Sequence, residues 1–205
     1  MSLLSSSASI TRFKVEGKIE EPIVENIENG LMANVFKEID NDSTELSAGW
    51  TSINNSFKPD FKGSSFVFGT LFIFSLRIDK KSISSKIINK YYNIEMAKRL
   101  AECKQEYLSS NEKKSIKENV TNILSLRIPA TPNIYDLIWN YEESSLWFFS
   151  TLKNAIENLE TLFSKSFNLS LINLFPYTTA DLMIGLSDSD RDVLSKSSPT
   201  KFTEQ

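Results

Sequence analysis

Histidine is absent from the 205 residues. A Ser-His-Asp or Cys-His nucleophile needs an imidazole to take its proton, so both arrangements are excluded. Histidine-based zinc sites and histidine general bases go with them. The lone cysteine, Cys103, cannot form an internal disulfide. It falls inside a helical pattern with no acid-base partner in view, so it reads as a small buried side chain. Asp136, Glu142 and Glu143 come nearest to a carboxylate cluster, the kind that could hold magnesium for nuclease chemistry. The two glutamates fall at an expected turn, however, where acidic residues are common for conformational reasons. The six glycines build no phosphate-cradling loop. The sequence therefore reads as non-enzymatic, with no cofactor and no metal.

Lysine and arginine are the remaining candidates. The chain carries a net charge of −3, but the charge is uneven. Residues 77–127 hold 12 Lys and Arg against 6 Asp and Glu, and the remainder holds 11 against 20. A local cationic excess of this kind marks either a polyanion-facing segment or a solvated helical face.

Periodicity supplies the elements that must position those charges. Residues 9–16 alternate apolar and polar, as a strand does. Pro22 suits a first helical turn, and Ile23, Ile27, Leu31, Val35 and Ile39 recur every fourth residue, predicting a helix over 21–39. A short strand is expected at Trp50. Turn-rich residues 54–64 follow. Residues 65–78 are apolar on both faces, as in a central strand or a bent pair of strands. Phe66, Phe68, Phe72 and Phe74 read as core there rather than as a base-stacking platform.

A helix is expected from Ser84 to Leu108, burying Ile87, Tyr91, Ile94, Leu100, Ala101 and Leu108 and leaving Lys86, Lys90, Lys98 and Lys104 solvated. Of the adjacent Tyr91 and Tyr92, at most one faces inward. Ser109 and Glu112 then make a capping box for a second helix with Ile116, Val120, Ile123 and Leu124 on its buried side. Together the two helices form an antiparallel hairpin. Pro129 and Pro132 end it. Strands over 134–141 and 145–150 follow, with Trp139 and Trp147 as core residues and cross-strand neighbours. A helix over 151–163 and a strand over 169–174 complete the regular part, and the segment after Thr178 is ambiguous.

The order predicts an α+β fold, a mostly antiparallel sheet with packed helices and a long two-helix hairpin. Residues 1–8 read as a disordered leader, 9–185 as one domain with the hairpin inserted near 84–127, and 186–205 as a flexible tail. No apolar run is long enough for a membrane span, and no signal peptide is legible, so a cytoplasmic protein is expected.

The middle of the chain resembles the RdgC family of recombination-associated proteins. Arg77 closes a buried strand before a long helix, and "EKKSIKENV" at 112–120 is similar to that family's basic helix. Trp139 precedes a Glu-Glu-Ser turn and a second apolar strand, and a helix rich in Ala, Glu and Leu leads to "LFP" at 174–176. Gly49-Trp50 matches an early Gly-Trp pair. The likeness extends over residues 9–180. It implies sequence-independent binding of duplex DNA, a nucleoid-associated homodimer and modulation of a recombinase's access to DNA. It also implies that the basic hairpin faces phosphate, through Lys80, Lys81, Lys86, Lys90, Lys113, Lys114, Lys117 and Arg127. The alternative is a protein-interaction module on the same fold that has lost DNA binding.

Overall fold

A computed structural model describes residue 3, residues 5–103 and residues 107–197. Lys104, expected on a solvated face, and residues 198–205 of the expected tail lie outside them. The fold is α+β. Its strands are β1 (Thr11–Glu16), β2 (Leu46–Thr51), β3 (Val67–Phe68), β4 (Leu71–Lys80), β5 (Thr131–Asn140), β6 (Ser145–Phe148) and β7 (Ser170–Asn173). They make one antiparallel sheet in the order β2-β4-β5-β6-β1-β7, with β3 hairpinned onto β4.

β4 and β5 are central because their sequences allow it. They pair over ten residues, from Leu71 against Asn140 to Lys80 against Thr131. Phe72, Phe74, Leu76 and Ile78 point to one face, where Trp139 and Leu137 lie beside them. Helices α1 (Ile23–Ala33) and α4 (Lys153–Phe167) cover that face with Ile27 and Leu31, and with Leu159, Phe163 and Phe167. The packing is aromatic. Trp139 and Phe167 each stand 4.9 Å from Phe163 between ring centroids, and Trp50 stands 5.1 Å from Phe74. The Trp50 indole N–H donates to Ser166 Oγ at 2.7 Å. Phe66, Phe72 and Phe74 are buried and serve the core, whereas Phe68 is half-exposed on the β3–β4 hairpin.

Several elements depart from their expected limits, α2 ending at Cys103 rather than Leu108 and β5 starting at Thr131. α1 stops at Ala33, because residues 34–36 leave the helix to pair with β2: Phe36 N–H donates to Trp50 O and Trp50 N–H to Asn34 O, both at 2.9 Å. Ile39 is still buried, so its spacing reported burial rather than conformation. Gly49 fits where that crossing is tightest, since a Cβ there would overlap the Phe36 backbone. β2 begins earlier than expected, at Leu46. α4 runs to Phe167, one turn past the expected end. The ambiguous and tail segments carry α5 (Pro176–Ile184) and α6 (Asp188–Lys196), the latter capped by Ser187 Oγ accepting from the Asp190 N–H.

The two tryptophans are not cross-strand neighbours. Register sets Trp139 against Leu146 and Trp147 against Ile138, so they occupy opposite faces. Trp139 is fully buried and Trp147 is 46% exposed.

Phe163→Ala removes the ring shared by Trp139 and Phe167. We expect it to lower stability by about 3–5 kcal/mol, read as a fall in the urea midpoint at unchanged slope. A midpoint near that of the wild type would show that the aromatic cluster does not hold α4 to the sheet.

Candidate nucleic-acid interface

The chain leaves the β4–β5 ladder at Lys80 and re-enters it at Thr131, the register partner of Lys80. Between these two residues it builds α2 (Ser85–Cys103) and α3 (Ser110–Ser125), joined over residues 104–109 and packed against each other. No other element packs against either helix to a comparable extent. The α3 start is a capping box: Ser109 Oγ accepts from the Glu112 N–H, and the Glu112 carboxylate accepts from the Ser109 N–H at 2.8 Å. The Ser109 hydroxyl and amide together hold the Glu112 carboxyl below its usual range.

Of the residues that the sequence assigns to the core here, Leu108 is buried just beyond α2 and Leu100 half-buried, but the rest of that face turns outward. Ile87, Tyr91 and Ile94 are each about two-fifths exposed, and α2 has no buried residue. The reason is its partner set. A helix that meets only one other helix buries a narrow seam, and the seam here falls on the side of Ile88, Tyr92, Met96 and Leu100, all half-buried. On α3, Val120 and Leu124 are buried as expected, Ile116 is half-buried and Ile123 is exposed. Cys103, at the end of α2, is exposed and not the buried side chain its sequence setting suggests.

Seven of the eight expected cations are on the surface. Lys80 is exposed at the end of β4, Lys86 and Lys90 on α2, Lys113, Lys114 and Lys117 on α3, and Arg127 just beyond it. Lys86 and Lys90 are four residues apart, as are Lys113 and Lys117, so each pair shares a helix face. Acidic neighbours compete weakly: Lys114 reaches Glu118 at 3.9 Å between exposed groups. The Lys90 ammonium lies 5.6 Å from the Tyr91 ring centre.

Lys81 is the exception. It is 4% exposed, and its Nζ donates to Ser125 O at 2.8 Å, Asp42 O at 2.6 Å and Asp40 O at 3.1 Å. All three ammonium protons are thus used inside the protein. Lys81 clamps the end of α3 to the sheet and cannot offer its charge to phosphate. Strand alternation carried a signal for this: Lys81 continues the odd-numbered series Arg77, Asp79, which is buried and charged.

Arg77 adds nothing to the surface either. Its guanidinium makes a bidentate pair with Asp79, at 2.8 and 2.6 Å, and meets Glu38 at 2.9 Å. It lies 4.0 Å from the centre of the Phe36 ring and 4.7 Å from that of Phe57. Burial works against its charge, but Asp79 and Glu38 outweigh burial and hold it more firmly protonated than a free arginine.

The carboxylates do not assemble. Asp136 is buried, accepting from Ser75 Oγ at 2.7 Å and from the Leu3 N–H at 2.6 Å, while Glu142 and Glu143 are exposed at the β5–β6 turn. Among the described residues no group of three His, Cys, Asp or Glu could hold a metal ion, and no helix is long and apolar enough to cross a membrane. No protein-family model matches the chain, and no curated protein matches it by sequence.

Lys81→Met should cost about 2–4 kcal/mol, because three carbonyls, that of buried Ser125 among them, lose a charged donor. Amides at the end of α3 should exchange faster with solvent. Unchanged stability together with weakened duplex binding would contradict an internal role for Lys81.

Proposed function

We propose that this chain binds duplex DNA through backbone phosphates along the α2–α3 hairpin, without sequence preference. The observation that carries this reading is a helical hairpin inserted at a strand end, whose exposed lysines exceed its acids and which packs on little but itself. α2 and α3 hold seven Lys and Arg against four Asp and Glu, and Lys80 and Arg127 flank the base.

The geometry suits phosphate. The helices rise about 1.5 Å per residue and run in opposite directions. Lys86 sits at the base of the hairpin and Lys113 about 18 Å along it. That span is close to half a turn of duplex, where one strand presents a phosphate about every 3.4 Å of axis. Lysines meeting phosphates release counterions and give affinity without reading bases. The resemblance to RdgC proteins supports the same reading and extends it to control of a recombinase's access to DNA.

A protein-interaction role is the second reading. Ile87, Tyr91 and Ile94 form an outward apolar stripe on α2, and such a stripe suits a protein surface. A homodimer is the form that the family resemblance implies.

Binding of a labelled duplex, followed by fluorescence anisotropy between about 50 and 200 mM salt, tests both. We expect steep weakening with salt. The combined Lys113→Glu, Lys114→Glu, Lys117→Glu variant should abolish binding or lower the salt slope by about 2–3. Absence of binding at the lowest salt would refute the DNA reading. A hairpin-dependent dimer in sedimentation would then favour the second.

A further inference from the structure

The sheet face opposite α1 and α4 carries a second, separate set of side chains. Register places Arg12 of β1 beside Trp147 of β6, and Lys14 between Ser145 of β6 and Ile172 of β7. α5 is fixed over the end of this face. Thr178 Oγ1 donates to Asn173 O at 2.8 Å and accepts from the Phe175 N–H at 2.9 Å. Between α5 and the strands lie two adjoining open hollows, of about 380 and 280 Å³, that share Arg12, Leu174 and Thr179.

The groove combines free cations with exposed apolar walls. Arg77 and Arg191 each pair with two carboxylates. Arg12 and Lys14 have no ion-pair or side-chain hydrogen-bond partner among the described residues. Around them Phe175 is 50% exposed, Ile184 74%, Leu182 38% and Trp147 46%, although Trp50 and Trp139 are fully buried. An arginine beside exposed tryptophan and phenylalanine is the composition of an interface centre rather than of an ordinary surface.

We infer that this groove docks a peptide segment of a partner protein in which carboxylates alternate with large apolar side chains. A carboxylate would take the bidentate position on Arg12, with Lys14 beside it. The apolar residues would cover Phe175, Ile184 and Trp147. The hollows are open, which suits an extended segment better than an enclosed small molecule. Nucleic acid fits less well. Arg191 ties α6 to α5 through Asp181 at 2.8 Å, and α6 presents Asp188, Asp190 and Asp192. A duplex would have to approach those carboxylates, whereas a short peptide can seat a carboxylate on Arg12 in the hollow that Glu143 does not line, Glu143 lying in the second hollow with Lys14. The inference is independent of the hairpin and of DNA binding.

The test uses the whole chain and a labelled peptide of alternating Asp with Phe or Leu. Matched peptides carry Asn for Asp, Lys for Asp, or Ser for the apolar residues. The Asp peptide should bind, and the three controls should bind at least about tenfold more weakly. Trp147, the only exposed tryptophan, should become protected from acrylamide quenching, a signal that Trp147→Phe removes. Arg12→Glu should weaken binding about tenfold or more, and Ile184→Ser, on α5, should weaken it independently. Both positions are exposed, and thermal unfolding should be unchanged. Failure of the Asp peptide to bind, equal binding of the Asn or Ser peptide, or binding that survives both substitutions would each overturn the inference. Displacement by a duplex whose own binding is lost in Arg12→Glu would assign the groove to nucleic acid instead.

Discussion

Ten consecutive register pairs join β4 to β5, and both strands are closed in by neighbours on either side. One face of the ladder is aromatic. The other presents Ser75, Arg77 and Asp79, with Asp136 beside Ser75. Polar groups in that position must find partners or carry the cost of desolvation. They do so locally, Ser75 with Asp136 and Arg77 with Asp79 and Glu38. A slip of one residue would turn Arg77 and Asp79 into the aromatic layer and set Leu76 and Ile78 where the buried polar groups now pair. The buried polar set therefore fixes the register, whatever its net contribution to stability.

The same ladder sets where the hairpin stands. A tight turn would have sufficed between Lys80 and Thr131. The chain instead inserts two helices there and secures their base with one ammonium. Lys81 joins three separate segments, the end of α3, the 40–42 loop and the end of β4. Above that point α2 has no buried residue, and α3 buries only Val120, Leu124 and Ser125. Local stability follows burial, so the hairpin should open at lower free energy than the sheet. A surface of that kind can adapt to a ligand, at the expense of ordering itself when it binds.

Strands and capping signals were legible because they are local. The Ser109–Glu112 box, the β5–β6 hairpin and the apolar run of β4 each needed only neighbouring residues. What the pattern could not supply was the identity of the partner. Val35 and Ile39 continued the four-residue spacing of α1 although the chain had already turned to join β2. The Ile87, Tyr91 and Ile94 stripe looked like a core face, but the sheet that would have covered it lies elsewhere. Trp139 and Trp147 looked equivalent until register set them on opposite faces. Lys80 and Lys81 are adjacent and chemically identical, yet one is solvated and the other fully coordinated by carbonyls. The groove at Arg12 joins β1 to α5 across most of the chain, a juxtaposition that no local window contains.

An acidic pI of about 5.2 argues against a phosphate-binding surface. On the DNA-binding reading, the placement of the charge answers this. Outside residues 77–127 the chain holds 11 Lys and Arg against 20 Asp and Glu, a net charge of −9. Lys113 stands about 18 Å along the hairpin, about twice the Debye length of about 8 Å at physiological salt. Lys113 and Lys114, near the far end of the hairpin, therefore stand beyond most of the body's screened repulsion. On the DNA-binding reading, the acidic body orients the encounter so that the hairpin meets the duplex first.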